Sequence, residues 1–139
     1  MNKKIFFLAG LILLLTGCSK ATFYPDVLPD ACLNQFYEAK IKVGGGTVVS
    51  SDWIKYGQVS DENFKLNARM YFSGYGHRDI TGALIADYDG NELTVSGTPT
   101  SLEPIDVKIN VAFYKHMFSF FEPSNGHKKT YTIRVKQCN

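Results

Sequence analysis

The sequence has few of the residues and motifs that build reactive sites. Its three histidines are His77, His116 and His127, and no two of them have the i, i+4 spacing of a helical zinc site. There is no Gly-x-Ser-x-Gly nucleophile elbow. The glycine run 44–46 lacks the Gly-Lys-Ser/Thr of a phosphate-binding loop and is better read as a strand break. We therefore expect no enzymatic activity, no cofactor and no metal site.

The sequence also lacks an apolar run long enough to cross a membrane. The segment from Ile5 to Leu15 has about eleven residues, whereas a spanning helix needs about 20. Lys3 and Lys4 precede it, and a charged start followed by a short apolar core is typical of a secretory signal. The N-terminus is therefore expected to be a leader rather than a permanent anchor.

A cysteine ends this leader. The run Leu15-Thr16-Gly17-Cys18 resembles the lipobox of bacterial lipoproteins, although Ala or Ser is commoner than Thr at its second position. The resemblance implies that residues 1–17 are a cleaved signal peptide and that Cys18 carries a diacylglycerol thioether, often with a third chain on its amine. Two or more acyl chains give stable anchoring. The alternative is an ordinary signal peptide cut elsewhere.

Ser19 follows the cysteine, and in enterobacterial-type sorting an Asp there favours retention in the inner membrane. Ser19 therefore implies the outer membrane, facing the periplasm, if the organism is Gram-negative.

Excess positive charge is absent once the leader is removed. The full chain has 15 Lys plus Arg against 13 Asp plus Glu, and the leader contains Lys3 and Lys4 but no acid. The remainder balances at 13 against 13. A neutral domain argues against nucleic acid as a partner.

Cysteine is scarce, with three in the chain. If Cys18 carries lipid, Cys32 and Cys138 remain as an even pair. A secreted protein is in an oxidising compartment, where such a pair is expected to form a disulfide. A bridge would close a loop of about a hundred residues and stabilise by roughly 4–5 kcal/mol in the chain-entropy model. The alternative is two free thiols.

The rest of the chain predicts an all-β domain behind a tether. Residues 18–30, with Pro25 and Pro29, show no periodicity and are expected to be the lipidated N-terminus and tether, so the domain is 31–139. Strands are predicted over 36–43, 47–50, around Trp53, and over 64–72, 83–88, 92–96, 105–113 and 130–136. About seven short strands suggest an antiparallel sandwich, with a barrel as the competing closure.

Alternation assigns the faces of these strands. In the first, Phe36, Ile41 and Val43 are expected to be the apolar contributors. The core-facing sets expected in two later strands are Phe64, Leu66, Ala68, Met70 and Phe72, and then Ile105, Val107, Ile109, Val111 and Phe113. Asp89-Gly90 is expected to be a hairpin turn. A calcium loop over 87–92 is the weaker alternative, because Glu92 and Thr98 replace the Gly and Glu that an EF-hand requires.

Two segments favour one type of sandwich. Leu28-Pro29-Asp30 with the strand 36–43, and above all Leu93–Thr100 with its Ser-Gly-Thr-Pro turn, resemble bacterial putative-Ig, cadherin-like domains. The resemblance implies an immunoglobulin-like sandwich whose first and last strands are neighbours, which would bring Cys32 and Cys138 together. It departs at 51–85 and at 115–129. In the turn, Gly97 can take a positive φ, and Pro99 fixes its own φ and favours an extended Thr98.

The most aromatic segment runs from Tyr114 to Phe121. Its apolar side chains either pack an extra strand or form an exposed partner-binding patch, whose residues are Met117, Phe118, Phe120 and Phe121.

The leading functional prediction is a membrane-anchored envelope lipoprotein with a non-catalytic binding or structural domain and a protein or glycan partner. The alternative is a periplasmic inhibitor or immunity lipoprotein that blocks a cell-wall hydrolase or toxin.

Overall fold

The computed structural model describes residues 20–50, 55–72, 78–114 and 126–139. These residues form strands and connecting segments, and none of them lies in a helix that could span a membrane. The strands are β1 (Thr22–Tyr24), β2 (Ala31–Cys32), β3 (Tyr37–Gly44), β4 (Gly57–Val59), β5 (Phe64–Tyr71), β6 (Asp87–Gly97), β7 (Ile105–Val111), β8 (His127–Ile133) and β9 (Val135–Lys136).

Seven of these strands form two antiparallel sheets. One sheet has the order β1-β3-β6-β5 and the other the order β4-β7-β8. The two short strands β2 and β9 pair in parallel as a separate two-stranded sheet. Buried side chains of both large sheets join one apolar cluster, which includes Ile41, Leu93, Val107, Ile109 and Ile133. The predicted all-β antiparallel sandwich is therefore confirmed.

Alternation explains most of this core. In β3, the side chains of Tyr37, Ala39, Ile41 and Val43 are buried and those between them are exposed, as a strand with one face on a core requires. The inward set predicted for β7, from Ile105 to Phe113, is buried throughout. Phe36, which was expected to contribute to the core, is 71% exposed because it precedes β3 and Tyr37 takes the first inward position.

The alternation predicted for β5 fails at its second half. Phe64 is buried, and Leu66 and Ala68 pack against the core, but Met70 and Phe72 are 57% and 58% exposed. The register with β6 shifts between Ala68 and Arg69. A shift of this kind breaks the regular alternation of faces. The assignment of Met70 and Phe72 to the core was therefore wrong.

The Asp89-Gly90 hairpin prediction was also wrong. Both residues lie inside β6, which runs unbroken from Asp87 to Gly97. Gly90 is buried, and a Cβ there would lie 2.6 Å from Val48 Cγ1. Glycine is therefore needed at this position for close packing and not for a turn.

The segment predicted as a tether is largely part of the domain. Thr22–Tyr24 pairs with Lys42–Gly44 of β3. Beyond it, the Tyr131 hydroxyl donates to the Pro25 carbonyl at 2.7 Å, and the Tyr37 hydroxyl donates to the Pro29 carbonyl at 3.0 Å. The two prolines interrupt strand periodicity, but their carbonyls accept hydrogen bonds from core tyrosines, so the prediction that 18–30 is a tether was wrong from Thr22 onwards.

Gly97 does not use the positive φ that is open to glycine. Among the described residues, the glycines with positive φ are Gly45, Gly57 and Gly82. A Cβ on Gly97 would lie 2.5 Å from the Asn63 carbonyl oxygen and 2.6 Å from the Phe64 ring. The Ser-Gly-Thr-Pro segment therefore requires glycine for close approach to β5.

Candidate functional site

Three long connections leave the same end of the sandwich. β3 and β5 both pair antiparallel with β6, so they run in the same direction and end together. The residues after β3 meet those after β7, because Val48 bridges Phe113 and the Tyr114 amide donates to the Thr47 carbonyl at 2.9 Å. The β3–β4, β5–β6 and β7–β8 connections therefore project from one end.

The chain enters the domain at this same end. Thr22 at the start of β1 is paired with Gly44 at the end of β3. Gly45 has φ 103°, and a Cβ on it would lie 2.5 Å from the Lys20 carbonyl oxygen. We call this end of the sandwich the entry end and define it by Ala21, Gly45, Phe72 and Tyr114.

Asn91 fixes the beginning of the β3–β4 connection. Its side-chain amide nitrogen donates to the carbonyls of Val43 and Gly46, at 2.7 Å each. Its side-chain oxygen accepts from the Val48 amide at 3.0 Å. One side chain thus satisfies three backbone groups at the end of β3 and in the connection that follows it, which holds the backbone beside Lys20 in place.

The β5–β6 connection contains a tight turn at 79–83. The Asp79 carboxylate accepts from the Thr81 hydroxyl at 2.6 Å and from the amides of Thr81 and Ala83 at 2.8 and 2.9 Å. The hydrogen bond from the Thr81 side chain, followed by those from the backbone, lowers the pKa of this exposed carboxyl. Gly82 has φ 84°, which suits the turn. Ile80 is held at the tip and is fully exposed.

Large apolar side chains are concentrated at the entry end. Seven of the eleven large hydrophobic residues that are exposed in the described part of the chain lie there. They are Met70, Tyr71, Phe72, Ile80, Leu84, Ile85 and Tyr114. Single exposed apolar residues are ordinary, but such a concentration marks an interaction surface.

The opposite end, which we call the far end, contains the disulfide. Cys32 and Cys138 are bonded, with their Cα atoms 5.5 Å apart, so the predicted pairing is present. The neighbouring backbone is tied to the connection after β6 by the hydrogen bond from the Asn34 amide to the Pro99 carbonyl, 2.9 Å long. The exposed Phe36 and Leu102 also lie at this end.

Several residues singled out from the sequence lie outside the described residues. These are Cys18, Ser19, Trp53, His77, His116, Met117, Phe118, Phe120 and Phe121. Of the three histidines, His127 is described, and its ring lies 4.7 Å from that of Phe113. Within the described ranges no group of three His, Cys, Asp or Glu side chains could hold a metal ion. In the segment 87–92, considered above as a calcium loop, the Asp89 carboxylate accepts from the Asn91 backbone amide at 3.0 Å.

A shallow groove of about 500 Å³ crosses the outer face of the four-stranded sheet. Lys40, Lys42 and Arg69 line it and give it positive charge. The Arg69 guanidinium is already paired with the Glu92 carboxylate at 2.9 Å, and the two side chains are 60% and 37% exposed. The sequence predicted these strands but not the groove, because the strands bring together residues distant in sequence. We regard it as an ordinary solvated sheet face.

Comparison with known proteins identifies the N-terminal segment. No curated protein and no solved structure matches the chain. Residues 3–19 match a family model described as the prokaryotic membrane lipoprotein lipid attachment site, and Cys18 is the cysteine within that range. This match supports a bacterial lipoprotein that is held in the cell envelope by a lipid anchor.

Proposed function

We propose that Cys18 is the acylated first residue of the mature protein and that the domain behind it is a non-catalytic, immunoglobulin-like binding or structural module. The observation that carries this proposal is the lipid attachment site over residues 3–19, which contains one cysteine. Ser19 in the next position supports the outer membrane as the destination in a Gram-negative cell.

The strand order supports the immunoglobulin-like assignment. Constant-type immunoglobulin domains have strands A, B, E and D in one sheet and C, F and G in the other. When β1, β3, β4, β5, β6, β7 and β8 are lettered A to G in chain order, the two observed sheets have that order. The short parallel pair of β2 and β9 then joins the first and last segments of the domain, beside the disulfide.

The character of the core supports a non-catalytic role. In the described part of the chain the buried side chains are apolar or tyrosine, and no other polar or charged residue is buried. The burial of Tyr37 and the nearby Asp30 raise the pKa of that tyrosine to about 12, and burial with Asp26 does the same for Tyr131. Their hydroxyls donate to backbone carbonyls, so these shifted groups hold the fold together.

Protein or glycan recognition is the proposed task of the module, since sandwich folds usually present loops or edges to partners. This step is analogy at the level of the fold. Met117, Phe118, Phe120 and Phe121 in the β7–β8 connection remain the predicted contact residues. That connection leaves the entry end, where most of the exposed apolar side chains of the described residues lie.

Metabolic labelling with an alkyne fatty acid tests the anchor. The wild-type protein and a Cys32→Ala/Cys138→Ala control should be labelled and should fractionate with membranes, whereas Cys18→Ala should be neither labelled nor membrane-bound. A labelled Cys18→Ala protein would overturn the assignment of the acylated residue.

Cross-linking in intact cells, followed by purification in detergent, tests the module. The expected result is a stoichiometric envelope protein or glycan that is lost from Phe118→Ser/Phe120→Ser and retained by Phe36→Ser, which alters an exposed phenylalanine at the far end. Both variants should melt like the wild type. A stoichiometric hydrolase or toxin whose activity is blocked would instead establish the inhibitor alternative, and the absence of any partner would overturn the binding role.

A further inference from the structure

The lipid anchor is attached very close to the entry end. Three peptide steps separate Cys18 from Ala21, which is next to the first paired residue of β1. A fully extended chain covers at most about 3.6 Å per residue, so Ala21 lies within about 11 Å of the Cys18 Cα. The tether of residues 18–30 expected from the sequence would have allowed the domain to stand well away from the membrane. Because β1 begins at Thr22, the connection from Cys18 is too short to allow this.

The exposed apolar residues begin at the same height along the sheet. Ile41, Leu93 and Ala68 are directly paired across β3, β6 and β5. β3 and β5 run in the same direction from this row. Gly45 is four residues after Ile41, and Phe72 is four residues after Ala68. Phe72 therefore lies at the level of Gly45, where the chain enters the domain. β5 is three strands away from β1, or about 14 Å at the usual strand spacing.

The β5–β6 connection begins and ends next to that level. It leaves β5 after Tyr71 and returns to β6 at Asp87, and these two residues are paired. Its described part contains the turn that holds Ile80 at its tip, with Leu84 bridged to Arg78 on the other side of the turn. Ile80, Leu84 and Phe72 expose at least half of their surface.

We propose that the entry end lies on the bilayer that holds the acyl chains, with Phe72, Ile80 and Leu84 in the boundary between headgroups and hydrocarbon. The proposal depends on acylation of Cys18, as proposed above. A basic side chain next to exposed apolar ones suits this boundary, and Arg78 stands beside the turn, where its guanidinium donates to the Gly82 carbonyl. The short connection to the acylated residue selects a lipid surface over a protein partner for this part of the end, because it keeps these side chains near the membrane.

The orientation has a consequence for the far end. Phe36, Leu102 and the disulfide would face away from the membrane. The β7–β8 connection leaves the entry end, so a partner of its aromatic segment would meet the protein at the membrane surface.

Tryptophan quenching in vesicles tests the proposal. In a Trp53→Phe background, Phe72→Trp or Ile80→Trp places the indole at the entry end, and Leu102→Trp places it at the far end with similar exposure to Phe72. The purified acylated proteins are reconstituted into phosphatidylethanolamine–phosphatidylglycerol vesicles, with bromine on the acyl chains either near the headgroup or near the methyl end. Ile80→Trp is the safer reporter, because Ile80 has no packing to lose.

The expected result is a blue shift and a loss of emission for both entry-end reporters, stronger with shallow than with deep bromine, and neither effect for Leu102→Trp. Unquenched entry-end reporters in protein whose acylation is verified by mass would overturn the membrane contact while leaving the anchor intact. Equal quenching of all three reporters would overturn it as well, since this would mean unoriented adsorption. Absence of acyl groups on Cys18 would instead refute the proposed function on which the orientation rests.

Discussion

Removal of the bridge between Cys32 and Cys138 should lower the free energy of unfolding by about 4–5 kcal/mol. The two residues are 106 positions apart. In the chain-entropy model a loop of that length lowers the entropy of the unfolded chain by about 16 cal/mol/K, or about 4.8 kcal/mol at 25 °C. The folded state should lose little, because the pairing of β2 with β9 and the hydrogen bond from the Leu33 amide to the Lys136 carbonyl do not require the bridge.

Urea unfolding of the domain and of a Cys32→Ser/Cys138→Ser variant measures the difference. For a domain of about 120 residues, 1 kcal/mol corresponds to about 4 °C in Tm, so the variant should melt about 15–20 °C lower. Reduced wild-type protein serves as the control and should unfold like the variant. A difference below about 1 kcal/mol, or two free thiols in the unreduced protein, would refute the reasoning.

Three further predictions concern the fold. Asn91→Ala should cost about 2–4 kcal/mol in urea unfolding, because it leaves three backbone groups without their partner; the control Asn67→Ala, exposed on β5, should cost less than about 0.5. Gly97→Ala should cost about 1–3 kcal/mol in the same assay, because a Cβ there meets backbone and ring atoms, and an unchanged unfolding midpoint would contradict that packing. In the folded protein the pKa values of Tyr37 and Tyr131 are raised to about 12, above the usual value of 10. The stability that they contribute is complete below pH 10 and is lost as the pH rises towards 12. The Tm of a Tyr37→Phe/Tyr131→Phe variant should therefore fall less between pH 10 and 12 than that of the wild type.

The fold class could be predicted because apolar and polar residues alternate along β3 and β7. The inward set of β7 was read directly from its sequence, and the core confirms it. In β5 the same rule held as far as Ala68 and then failed. The register shift that exposes Met70 and Phe72 depends on the pairing with β6, and nothing within β5 itself signals it.

The hairpin predicted at Asp89-Gly90 was wrong because the glycine is required by tertiary packing and not by a turn. Asp-Gly usually closes a hairpin, yet Gly90 is needed so that Val48 of another connection can approach β6. The signal that could have been noticed is Asn91, a side chain able to satisfy several backbone groups, but its acceptors lie more than 40 residues away in sequence. The groups that it joins can be known only once the strands are placed.

The tether was overestimated for a related reason. Pro25 and Pro29 suggested an extended linker, and their carbonyls accept hydrogen bonds from Tyr131 and Tyr37. This correction changes the functional picture most. It leaves only a few residues between Cys18 and the first strand, so the proposed acylation would place the end of the domain with the exposed apolar side chains beside the membrane.

The most direct test of the anchor is the mass of the N-terminal tryptic peptide from membrane-purified protein. Cleavage after Lys20 should release Cys18-Ser19-Lys20 with a diacylglyceryl group on the cysteine, and with no residue before it. A peptide that begins elsewhere, or one that contains an unmodified Cys18 still joined to Gly17, would contradict the account.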